Sequence, residues 1–71
     1  MFRFRFKVRF AQLPPYISSK TYASRHECCE AAKEFIRTLK KTKPQLGARI
    51  FDWTYHGWVE GQAEPAWRLT E

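Results

Sequence analysis

His26, Cys28, Cys29 and His56 are the side chains of this 71-residue sequence that could hold a soft metal or carry covalent catalysis. Zinc sites space paired cysteines by two to four residues so that both sulfurs can turn toward one ion. Cys28 and Cys29 are adjacent, and on a helix adjacent side chains diverge by about 100°, so one ion cannot take both. Cys29 follows His26 by three residues near a helix N-terminus, where a thiolate is favoured. A nucleophile also needs its base oriented by a third group, and none is evident. Cys28 therefore reads as core and Cys29 as its flank. Glycine-rich phosphate loops, HExxH, GxSxG and paired acids in a glycosidase arrangement are absent from the sequence. The expectation is a non-enzymatic chain with no catalytic residue, no metal site and no cofactor.

The chemistry that the sequence does offer is ionic. Residues 2–10 read FRFRFKVRF, with an apolar residue at every even position and Arg3, Arg5, Lys7 and Arg9 at the odd ones. A helix would scatter Phe2, Phe4, Phe6, Val8 and Phe10 around its axis, whereas a strand puts them on one face and the four cations on the other. Lys and Arg on an exposed strand can serve only to discourage aggregation. Four in a row repel one another, and three of them are Arg, whose planar fork suits bidentate contacts to carboxylate or phosphate. The row is thus a candidate partner-binding face.

The elements that must position this row follow from the rest of the chain. AQLPPY (residues 11–16) carries paired prolines, which are expected to end strand pairing and turn the chain. A polar, edge-like second strand is expected over Ile17–Ala23. Ser24 with Glu27 three residues on forms a capping box. Beyond it Cys28, Ala31, Ala32, Phe35, Ile36 and Leu39 make a continuous apolar stripe, with acids early and bases late as the helix dipole prefers. Pro44 and Gly47 stop the helix. ARIFDWTY (residues 48–55) reads as a strand whose row Phe51, Trp53, Tyr55 is the better core candidate, because the other row would bury Asp52. Asp52 then lies on the cationic face. His56-Gly57 and Glu60-Gly61 are turn signals, and Ala66–Thr70 is a candidate last strand. The order β-β-α-β, with or without a fourth C-terminal strand, implies an α+β fold: one domain over residues 1–71, an antiparallel sheet of three or four strands and one helix packed on one face. The cationic face would be left open to water.

A chain of this length has a marginal core, and its twelve aromatic residues exceed what one helix on one small sheet can cover. Some should be at the surface, where interfaces keep them. The charge is also uneven: residues 1–43 carry eleven Lys or Arg against three Glu, while residues 44–71 carry two Arg against four acids. Such a field favours an anionic partner on one side. No apolar run approaches a bilayer span or a signal sequence, and adjacent cysteines are poor disulfide geometry. A cytoplasmic protein with no membrane attachment is expected.

Sheets that bind single-stranded nucleic acid interleave aromatics with cations on the exposed face, but the aromatics of this first strand point the other way. Phosphate contacts to duplex DNA or RNA would need only charge and shape. Tyr16, Trp58 and Trp67 beside Arg3, Arg5, Lys7 and Arg9 suit a protein interface with aromatic anchors and arginine hot spots at least as well. The bland alternative is that the two tryptophans close a small second core under the tail. In plan, TYASRHECCEAAKEFI followed by KPQLGARIFDW resembles the strand, capped helix, proline turn and final strand of small phage-encoded host-takeover proteins of the kind that inhibit bacterial RNA polymerase. That resemblance implies a non-enzymatic protein that occupies a site on host nucleic-acid machinery. The first expectation is therefore a binding protein that modulates or inhibits a larger partner through an acidic surface of that partner; the second is a nucleic-acid-binding protein.

Overall fold

The computed structural model describes residues 1–67 of the chain. Its elements are β1 (Phe2–Phe10), β2 (Leu13–Ile17), α1 (Arg25–Thr42), α2 (Pro44–Gly47) and β3 (Ile50–Val59). The strands form one antiparallel sheet in the order β2-β1-β3, with β1 at the centre. One helix on one face of this sheet is the expected α+β arrangement.

Period-two alternation decides what β1 buries. Phe6 and Val8 join Cys28 and Ala32 of α1 in the fully covered core, and Phe4 and Phe10 pack at its margins. Cys28 and Ala32 are small and one turn apart, which lets α1 lie close over Val8 at the middle of the sheet. Phe35 and Ile36 fill the flanks. The Phe6 ring meets those of Phe35, Tyr16 and Tyr22 at centroid distances of 5.9, 6.1 and 6.2 Å. The helix starts where the sequence says. Ser24 has extended backbone angles, and its hydroxyl accepts from the Glu27 amide at 3.1 Å while donating to the Glu27 carboxylate at 3.2 Å. Removing such a cap costs roughly 1 kcal/mol. After Thr42, Pro44 opens the single turn α2, which packs against the end of α1 so closely that a Cβ on Gly47 would stand 2.8 Å from Lys40 Cα.

Three expectations need correction. The second strand is Leu13–Ile17, so Pro14 and Pro15 lie inside β2 and do not end it. β2 is an edge strand, and its register against β1 shifts between Val8 and Phe10, so that Pro14 and Pro15 together stand opposite Arg9 in a bulge, where missing N–H groups break no regular ladder bond. The chain turns instead at Ala11–Gln12, with Gln12 at φ 63°. Ser18 and Tyr22, within the segment expected to be the strand, still bond to β1. Ser18 gives its N–H to Phe6 O at 3.0 Å and its hydroxyl accepts from Phe6 N at 3.2 Å, while Phe4 and Tyr22 exchange two backbone bonds of 2.9 Å.

The second correction is in β3. The register slips between Arg9 and Phe10, whose partners are Asp52 and Ile50, so Phe51 is the extra residue. Such a bulge re-aims side chains. Ile50 joins Trp53 and Tyr55 against the core, and Phe51 is 65% exposed. The third concerns the C-terminal side. His56-Gly57 is not a turn: pairing runs on to Phe2↔Val59. Ala66 and Trp67 belong to no strand, and the remainder of the expected fourth strand lies outside the described residues; among these the sheet has three strands.

Candidate functional site

The face of the sheet opposite α1 is assembled by pairing of β1 with β3. Arg3, Arg5, Lys7 and Arg9 stand opposite Trp58, His56, Thr54 and Asp52 in turn. Asp52 is on the cationic face, as expected. Its carboxylate accepts two hydrogen bonds from the Arg9 fork, from Nε at 2.7 Å and from a terminal nitrogen at 2.6 Å. The hydrogen bond from Arg9 is the main reason the Asp52 carboxyl titrates below its usual range, and the positive charges of Arg9 and Lys7 add to it. Arg9 also lies over the bulged Phe51 ring, 4.9 Å from its centroid. At the other end Arg3 donates to the Thr21 hydroxyl.

This face is not open to water along its whole length. After Gly61 the chain doubles back across the sheet. The Glu64 carboxylate lies 2.8 Å from His56 Nε2 and 3.5 Å from Arg5 Nε. Trp67 stacks on the His56 imidazole with centroids 3.7 Å apart and planes within 12°. The same indole lies under Lys7, whose Nζ is 5.0 Å from its centroid. Lys7 is consequently only 6% exposed, at the centre of the sheet. Trp58 meets His56 edge-on at 5.5 Å and carries Arg5 over its ring at 5.8 Å.

Six of the seven residues expected to bind a partner are therefore on one face: Arg3, Arg5, Lys7 and Arg9 by strand parity, Trp58 by its pairing with Arg3, and Trp67 through the tail. Tyr16 is not with them. It pairs with Val8 and so points to the helix side, where it stacks on Phe35 at 4.3 Å and 10° while remaining 38% exposed. The two tryptophans are half-buried and meet on His56, the small aromatic cluster that was the bland alternative. His56, expected at a turn, belongs to this face instead. Its signal in the sequence is parity: with Gly57 in the strand, His56 and Trp58 continue the row of Asp52. Aromatics face away from the cations in β1 alone, because β3 and the tail return rings to the cationic face.

The cysteines are separated by the helix as their adjacency implies. Cys28 is fully buried against the sheet and its thiol is pushed up to about 11, first by burial and then by the neighbouring Cys29; Cys29 is half-exposed. Among the described residues no three His, Cys, Asp or Glu side chains gather into a metal-binding group. No helix among them is long and apolar enough to cross a membrane. The chain matches no protein-family model, and no curated protein or solved structure is significantly similar to it.

Proposed function

We propose that this chain is a small, cytoplasmic, non-enzymatic binding protein that seats an acidic patch of a larger protein on the face built by Arg3, Arg5, Lys7, Arg9, His56 and Trp58, and so modulates or inhibits that partner. The observation that carries the reading is the pairing of cation with ring within the sheet itself: Arg5 over Trp58 and Arg9 over Phe51. Rings hold the long cationic side chains in place, which lowers the entropy lost when they grip a carboxylate. Arg and Trp at the centre of a partly desolvated patch are the residues that dominate protein interfaces. The resemblance in sequence plan to phage host-takeover proteins is what points to the setting we propose, inhibition of host nucleic-acid machinery.

A second reading has a specific observation in its favour. His56 and Trp58 put rings on the cationic face, which gives bases something to stack on. The two are separated by affinity capture with and without nuclease, followed by calorimetry with the Arg3→Gln, Arg5→Gln, Arg9→Gln triple variant at two salt concentrations. A protein partner retained after nuclease, bound at least tenfold more weakly by the folded triple variant and with a shallow salt dependence, is the expected result. Nucleic-acid binding would instead fall steeply with log salt, at a slope of about −0.9 per phosphate neutralised on a duplex or about −0.7 on a single strand whose bases stack on the rings. Unchanged affinity of the triple variant would make the cation row a solubility device and end both readings.

A further inference from the structure

The segment already lying on the cationic face describes the chemistry that the face accepts. Residues 60–67 read EGQAEPAW. Side-chain contacts hold the end of this segment against the sheet: Glu64 on His56 and Arg5, Trp67 on His56 and Lys7. Between them Pro65 fixes φ in a stretch, residues 63–67, that forms no helix, turn or bend, and a carboxylate and an indole three residues apart reach neighbouring positions of one face. Resting on the function proposed above, we infer that the ligand of this face is an extended peptide segment with a carboxylate followed three residues later by an aromatic ring, and that the chain's own Glu64–Trp67 is its built-in competitor.

The tail is a displaceable occupant. Its carboxylate serves two groups and satisfies one of them. It is at hydrogen-bonding distance from His56 but 3.5 Å from Arg5 Nε, and that nitrogen is buried with no hydrogen-bond partner among the described residues. A buried N–H left in this state gains from any carboxylate that reaches it directly. A partner segment that grips Arg5 while keeping the indole site filled makes every contact the tail makes and one more. Glu64 and its neighbours from Gly61 to Ala66 are exposed, so displacement uncovers only the surface of His56 and Lys7 that Trp67 covers, which the incoming ring covers again.

The test uses the full chain and its Glu64→Gln/Trp67→Ala variant, titrated by calorimetry with an acetylated, amidated peptide of residues 60–67. A tail that occupies the face about nine-tenths of the time leaves one-tenth of the molecules competent, so the variant should bind the peptide about tenfold more tightly than wild type. A control peptide with Gln for its second Glu and Ala for Trp should bind neither protein. The single Glu64→Gln variant, which keeps the indole contact, should fall between the two and serves if the double variant fails to fold. Equal peptide affinity for wild type and variants, or no peptide binding to any of them, overturns the inference. A variant that gains affinity for a generic DNA duplex and none for the peptide overturns it too, since the tail would then stand in for phosphate. These failures are distinct from failure of the function itself. If the arginine triple variant loses the captured partner while the peptide binds nothing, the face stands and only this occupant falls; if the triple variant keeps its partner, the underlying reading falls.

Discussion

Gly57→Ala tests the geometry that holds β3 to β1. Gly57 is opposite Phe4, and a Cβ there would stand 2.5 Å from Phe4 Cε1, 2.7 Å from Cδ1 and 3.3 Å from the Arg3 carbonyl oxygen. Carbon atoms prefer about 3.5–4.0 Å, so the ring must withdraw by about 1 Å. Its neighbours on the same face are the rings of Phe2 at 6.1 Å and Tyr55 at 6.4 Å. Overpacking of this kind costs about 1–3 kcal/mol. Opposing it, an alanine in a strand restricts the unfolded chain more than glycine does, a gain of about 0.4–1 kcal/mol where the backbone fits. The clash wins, and the expected net loss is about 1 kcal/mol, worth roughly 4–8 °C in a domain of this size. Equilibrium urea unfolding followed by tryptophan fluorescence measures it. The decisive step is the cycle with Phe4→Ala: once the ring is gone, Gly57→Ala should become stabilising by a few tenths of a kcal/mol or more, a coupling of about 1–3 kcal/mol. If Gly57→Ala stabilises equally in both backgrounds, Phe4 does not lie on Gly57 and the pairing of the strands beyond His56 is wrong.

Two other perturbations address titrating groups. Burial keeps the Cys28 thiol protonated to about 11, so the folded state holds a proton that the unfolded thiol loses above about pH 8.5; stability should therefore decline as pH rises from there to about 11. Iodoacetamide at pH 8 should modify only Cys29 in the native protein and Cys28 only after unfolding, and mass spectrometry showing rapid native labelling of Cys28 would place the helix off the sheet. For Asp52 the sign is reversed. Its carboxyl titrates low when folded, chiefly through the Arg9 hydrogen bonds, so its contribution is present at neutral pH and is lost as pH falls through the folded-state value. Because the Asp52 carboxylate is exposed, Asp52→Asn should cost no more than about 1 kcal/mol at pH 7, and the difference in denaturation midpoint from wild type should shrink toward pH 2. A difference that stays constant with pH would mean that the effect is not ionic.

The cationic face also bears on how uneven charge in a sequence is interpreted. Residues 1–43 are strongly basic and residues 44–71 carry an excess of acids, which by itself calls for an external anion. Two of those acids return to the first strand: Asp52 pairs with Arg9, and Glu64 sits beside Arg5. Part of the field is answered within the chain, so a partner meets a partly neutralised face whose remaining specificity lies in its rings and forks. That is why a shallow salt dependence is the expected signature of binding.

What the sequence determined by itself is local and periodic. Alternation over Phe2–Phe10 defines a strand and both its faces, because successive side chains on a strand point oppositely whatever they pack against. Ser24 and Glu27 define where α1 begins, since a cap satisfies amides within its own turn. The stripe from Cys28 to Leu39 defines the face it buries. From these the α+β class and the position of the arginine row follow. Only the tertiary structure decided the rest. Pro14 and Pro15 are acceptable in β2 because it is an edge strand bulged at that pair, and both edge and bulge are properties of the paired strands and not of one segment. The bulge that exchanges Ile50 for Phe51 is a mismatch between two strands and has no signature in either alone. Gly57 punctuates a sequence but continues a strand here, because the Phe4 ring needs its missing side chain. The position of Glu64 and Trp67 is the clearest case: residues nearly sixty positions apart meet on one face, and a pattern of period two or 3.6 cannot register a contact made by folding back across the sheet.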